Sequence, residues 1–309
     1  MIVYYMLVRI NNMKKDFDYA YYLVAFVDVL GQKEAFQGIT DLPKNDEAQK
    51  KLIKAHSSTV LFVEELREWF DDFFSSYTEI KDSEFKVPEE KKEQFDEMRK
   101  SILNHARFSD CLQFSVPLVS DKKYYSPCVN GIFGILGACG GMLILSLAKK
   151  KPFRAGIDVG IATELSSGEV YGPGFFNAYT LESKIAQHPR IVIGDTLINF
   201  LLNLSHKNSQ IPNQTKEDVE LCKMLADNCL QMIIKDLDGH FILDYLGQNF
   251  RDNFTKNLAA DGQEANEKAF KLAFDFIEKE YEKLNKDRNE KLSSRYFMLY
   301  NYFKSRLNL

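Results

Sequence analysis

Residues Tyr21–Gly31 read Y-Y-L-V-A-F-V-D-V-L-G. The run is rich in β-branched and aromatic residues and carries no charge before Asp28, which predicts a buried central strand. Desolvating a bare carboxylate there costs several kcal/mol, or drives it to protonate, unless a cation meets it. Two explanations fit this stretch alone. A metal ion sits at the strand end, where Leu30-Gly31 lets backbone approach a ligand, or Asp28 caps the loop that follows.

A second acid lies in another β-rich segment. His105–Val119 alternates, and within it R-F-S-D-C-L-Q-F-S-V, Arg107–Val116, places Asp110 at a Ser-Asp bend. Together the two carboxylates have the hard oxygen donors that a divalent ion prefers. Phe153–Ala162, F-R-A-G-I-D-V-G-I-A, is predicted as a third strand that opens on Arg154. Its glycines, Gly156 and Gly160, mark a close approach of backbone or ligand. Downstream, Ser166–Gly168 reads as a turn, Glu169–Tyr171 as a short returning strand, Phe175–Gln187 as a helix after Gly172-Pro173-Gly174, and Ile191–Ile193 as an edge strand.

Composition narrows the class. With 309 residues and 45% hydrophobic content the chain can bury a large core. Its 40 basic and 44 acidic residues are intermixed and leave a net charge of −4, so no nucleic-acid partner is expected and the cytoplasm is the default location. The five cysteines, 111, 128, 139, 222 and 229, never fall as Cys-x-x-Cys and read as free thiols. Met1–Ile10 is apolar but lacks a basic leader, so it does not read as a signal peptide. Val129–Ala148 is uncharged and long enough to span a bilayer, yet its five glycines equally suit a helix wedged inside a protein; no membrane is expected.

Two regions are predicted to be helical. Gln32–Ser101 contains the stripe Val60, Val63, Leu66, Phe70 and Phe73, with Lys81–Lys100 a charged surface excursion. From Thr196 onward the pattern is helical, with a polar break at Ser205–Asp218, a stripe at Phe270, Phe274, Ile277, Tyr281 and Leu284, and a last helix over Arg295–Phe303.

In this order, Phe26-Val27-Asp28-Val29-Leu30-Gly31, Phe108-Ser109-Asp110, Gly156-Ile157-Asp158-Val159-Gly160 and Gly168-Glu169-Val170-Tyr171-Gly172 resemble the catalytic core of the class III nucleotidyl cyclases. Together with Tyr171-Gly172-Pro173-Gly174, Ala178–Ser183 and Pro189-Arg190-Ile191, they resemble the pyrimidine cyclases of bacterial Pycsar anti-phage systems. The resemblance implies an α+β fold: a ferredoxin-like palm core over 20–195, with a helical insertion at about 40–103, a short segment 1–19 before it and a helical C-terminal extension 196–309 after it.

The implied activity is conversion of CTP or UTP to the 3′,5′-cyclic monophosphate and pyrophosphate, with the product switching on a separate effector. The resemblance assigns two Mg²⁺ or Mn²⁺ ions to Asp28, Asp110 and the Val29 carbonyl, and the substrate to Phe26 and the backbone at Leu30 and Gly31. It also implies a homodimer in which facing subunits complete each site. One family feature is missing. The cyclases stabilise the transition state with an Asn and, four residues on, an Arg, where this chain has Phe176 and Thr180. Asn177 is one step off, and Arg154, Lys184 and Arg190 are the candidate cations. For base selection Glu169 would accept from the amino group of cytosine, and Arg107 would instead donate to a pyrimidine carbonyl. The missing pair leaves open a second reading, a degenerate cyclase-like protein that binds nucleotide as a sensor.

Overall fold

The computed structural model describes residues 18–79, 88–119, 124–165, 168–206, 214–254 and 260–307. Most of the N-terminal segment, part of the charged excursion, Ser166-Ser167 of the expected turn and half of the polar break lie outside the described residues. The chain runs β1 (Tyr19–Val29), α1 (Gln32–Ala35), α2 (Asp46–Thr78), α3 (Lys92–Met98), β2 (Asn104–Phe108), β3 (Cys111–Pro117), α4 (Ser126–Ala148) and β4 (Phe153–Glu164). It continues through β5 (Val170–Tyr171), α5 (Pro173–Thr180), a π turn (Leu181–Ile185), β6 (Ile191–Ile193), α6 (Asp195–Ser205), α7 (Lys216–Gln231), β7 (Ile233–Lys235) and β8 (Phe241–Leu243). Three helices close it: α8 (Gln248–Phe254), α9 (Ala260–Lys286) and α10 (Glu290–Leu307).

The opening strand is central, as expected. β1 is flanked by β3 and β4, both antiparallel to it, and the sheet order is β2-β3-β1-β4-β6-β8-β7 with β5 paired to the end of β4. A βαββαβ unit whose strands lie in the order 2-3-1-4 is the ferredoxin-like arrangement. β1 lacks a polar face because both of its faces are covered. Leu23, Ala25, Val27 and Val29 face α2 and α4 in the main core, while Tyr22, Val24 and Phe26 form a second layer with Ala178 of α5.

The glycine-rich segment is the core helix α4. Among the described residues it is the one helix long and apolar enough to cross a membrane, and it is packed inside the protein against α2, α7 and α9. Gly137 shows why small residues are needed: a Cβ there would lie 2.5 Å from the Phe254 ring and 2.7 Å from Tyr77. The α4 N-terminus is held by the buried Asp218 carboxylate, which accepts from the amides of Tyr125 and Ser126 at 2.7 and 2.9 Å. On α2 the stripe is shifted from the expected one. Phe62 and Phe74 are buried with Val63, Leu66 and Phe70, whereas Val60 is exposed and Phe73 only partly covered.

Three expectations need correcting. His105–Val119 is not one strand but a hairpin, broken by the loop Ser109-Asp110 between paired Phe108 and Cys111. Ile191–Ile193 is not an edge: β6 runs parallel to β4 and is flanked on its other side by β8. The C-terminal extension is not purely helical either, because Ile233–Leu243 folds back at Asp238-Gly239 and adds β7 and β8 to the same sheet. The long helices expected around Phe270–Leu284 and Arg295–Phe303 are present as α9 and α10.

Candidate metal centre

Directly opposed residues of antiparallel strands share a face, so the register around Asp28 determines its neighbours. Asp28 is opposite Cys111 on β3 and Arg154 on β4. Asp110 is brought in by the hairpin loop, whose Asp110 carbonyl accepts from the Val29 amide at 3.3 Å. As a result, Asp28, Asp110 and Cys111 each present one ligand atom within 4.8 Å of the others. Among the described residues no other group of three such side chains comes this close.

The donor set suits a divalent ion. Asp28 and Asp110 offer carboxylate oxygens, the preferred ligands of Mg²⁺ and Mn²⁺. The thiol is a different matter. Burial, with the Asp28 and Asp110 carboxylates beside it, pushes the Cys111 thiol well up, so it stays protonated at neutral pH and donates weakly to Asp28 Oδ1 at 3.6 Å. The neighbouring guanidinium of Arg154 contacts Asp28 and a further acid, Glu182.

Arg154 stands between two acids. Its Nη2 donates to Asp28 Oδ2 at 3.0 Å, and its Nε lies 2.5 Å from Glu182 Oε1. That second contact is not aligned as a hydrogen bond, so Coulombic attraction carries it. Burial pushes the Glu182 carboxyl up; Arg154 opposes the shift and Asp28 adds to it. Glu182 was not anticipated from sequence. Its one signal is spacing, four residues after the buried Ala178, which sets both on the inner face of the α5 turn.

The remaining expected residues divide by position. Phe26 lies on the Asp28 face, under the α5 aromatics, 5.5 Å from the Phe175 ring and 5.4 Å from Tyr179. Gly31 has φ 80° and opens α1, but the Leu30 amide is already committed to the Pro152 carbonyl at 2.9 Å, so it is no phosphate donor. Arg107 is a correction. It is opposite Leu112, whose side chain is in the α2–α4 core, and it pairs with Glu64 of α2, so it lies across the sheet from the acids.

Arg190 is also committed elsewhere: its buried guanidinium bridges Asp236 and Asp238 at 2.6 Å each and donates to the Ile185 carbonyl. Lys184 is exposed on the π turn. α5 follows Gly172 directly, and Asn177 on it makes a long contact, 3.5 Å, to the Val159 carbonyl. Val159 is five residues along β4 from Arg154, about 16 Å. Glu169 is farther still. It precedes Val170, which is opposite Glu164, and Glu164 is ten residues, about 33 Å, beyond Arg154.

No protein-family model matches the chain, and no curated protein sequence does. A solved structure, of a bacterial light-regulated adenylyl cyclase, is similar at 13% identity and TM-score 0.33, over 67% of this chain and 99% of that chain. The fold assignment rests on the strand order and pairing described above.

Proposed function

We propose that this protein is a divalent-metal-dependent nucleotide cyclase acting on a pyrimidine nucleoside triphosphate. One observation carries the reading: two aspartates 82 positions apart, one near the end of β1 and one in the β2–β3 loop, meet with their ligand atoms within 4.8 Å. Bound divalent ions would acidify the ribose 3′-hydroxyl and neutralise charge on the triphosphate. Asp28 and Asp110 would hold them. A bond then forms between the 3′-oxygen and the α-phosphorus, and the bond to the bridging oxygen breaks to release pyrophosphate. Arg154, beside Asp28, is the cation placed to face the phosphates.

Base reading belongs to the far end of the sheet. A carboxylate at Glu169 accepts from the amino group of cytosine and has no such donor on uracil, which favours CTP. Because Asp28 on β1 is opposite the start of β4 and Glu169 precedes β5, which pairs with the end of β4, a site containing both needs two copies, and we infer a homodimer. Exposed Tyr171 of β5 and Phe176 and Tyr179 of α5 supply apolar surface for that contact. The cyclic product would act in the cytoplasm on a separate effector in anti-phage defence.

With Mn²⁺, purified protein is expected to release pyrophosphate from CTP or UTP, and Asp28→Ala or Asp110→Ala to stop it. Equal turnover by either variant overturns the site. A second reading, a nucleotide-binding sensor without turnover, is favoured by Phe176 and Thr180 in place of the Asn and Arg of the family. Metal-dependent CTP binding with no pyrophosphate release would select it.

A further inference from the structure

Glu182 has no place in the reading above, yet the fold goes to some length to put it beside Arg154. It sits in the π turn that closes α5, and such turns rotate the residues that follow by widening one turn of helix. The helix reaches the sheet because Gly156 has no side chain: a Cβ there would lie 2.2 Å from the Ala178 carbonyl oxygen and 2.7 Å from the Glu182 amide. The Glu182 side chain is only 2% exposed, so its carboxylate depends on Arg154 for compensation. Arg154 is 24% exposed and presents two edges, Nε inward to Glu182 and Nη2 outward to Asp28. A guanidinium is a rigid fork, so fixing one edge fixes the other.

We propose that Glu182 is a positioning residue that holds the inner edge of Arg154, so that the guanidinium yields Asp28 to an arriving divalent ion and stays beside it, facing the phosphates. This rests on the metal-dependent reading above. Without Glu182, Arg154 keeps one anionic partner at this centre, Asp28. It then closes on that carboxylate and competes with the ion.

The test is Mn²⁺ affinity of the full chain without nucleotide, by calorimetry and by electron paramagnetic resonance, alongside thermal unfolding. Glu182→Gln is expected to weaken Mn²⁺ binding about tenfold, the scale of losing an outer partner of a metal site. In an Arg154→Gln background the same change is expected to cost less than about twofold, because its effect runs through Arg154. Unchanged affinity in Glu182→Gln, or an equal loss in both backgrounds, overturns the proposal. Should Glu182→Gln fail to fold, Glu182→Asp decides, since it keeps the charge but draws it back from Nε: it is expected to weaken Mn²⁺ binding in the wild-type background and not in the Arg154→Gln background, and unchanged affinity, or an equal loss in both, counts against the proposal. Wild-type protein that binds no Mn²⁺ overturns the metal reading and this proposal together; binding lost in Asp28→Asn but untouched by Glu182→Gln removes the positioning role alone.

Discussion

Ser109 holds φ at 58° in the two-residue loop that carries Asp110 to Asp28. That conformation costs a non-glycine residue about 1–2 kcal/mol, while glycine gives up about 0.5–1 kcal/mol in chain entropy. Ser109→Gly is therefore expected to stabilise the fold by up to about 1 kcal/mol, read as a higher denaturant midpoint at unchanged slope. His188 gives a pH signature of defined sign. Burial, with Arg190 beside it, lowers its pKa to about 4. A histidine with a depressed folded pKa favours folding fully above its unfolded value near 6.5, and that contribution is lost as pH falls from there toward 4. Wild-type stability is expected to decline across that window, and His188→Gln to flatten the decline; identical slopes would contradict it. Asp28 was legible because a carboxylate in an apolar strand demands a cation. Glu182 was not, because the π turn that aims it has no period of its own in the sequence.

Gly156 and Gly160 mark points of close approach, and what approaches is the backbone of α5: a Cβ on Gly160 would meet Gly174 at 2.6 Å. Gly156→Ala is expected to cost about 1–3 kcal/mol by overpacking and, by lifting the π turn, to weaken Mn²⁺ binding as well. Normal stability and metal affinity in that variant would show that α5 does not set the site. Side-chain parity explains the Arg107 error. Once Ser109-Asp110 is known to be a two-residue loop, Arg107 must be opposite Leu112, an apolar residue, and so on the core face. Reading the segment as one strand hid that constraint. The hairpin β7–β8 did carry a signal, Asp238-Gly239 between apolar runs, which the strongly helical periodicity around it outweighed.

For the whole molecule, the expected boundary at residue 195 falls inside one sheet. β6 is completed by β8, and Arg190 is neutralised by Asp236 and Asp238 from the turn between β7 and β8. A chain ending at residue 195 is expected not to fold, since it exposes β6 and leaves a buried guanidinium unpaired, a loss of about 3–5 kcal/mol from that pair alone. A soluble, cooperatively unfolding fragment would contradict this. The central claim, that the paired aspartates serve cyclisation of a pyrimidine nucleotide, is tested most directly by incubating the purified protein with Mn²⁺ and all four nucleoside triphosphates in competition and identifying the products by mass spectrometry. The expected result is a 3′,5′-cyclic pyrimidine monophosphate that disappears in Asp28→Ala. Absence of any cyclic product, or a cyclic purine as the main product, would contradict it.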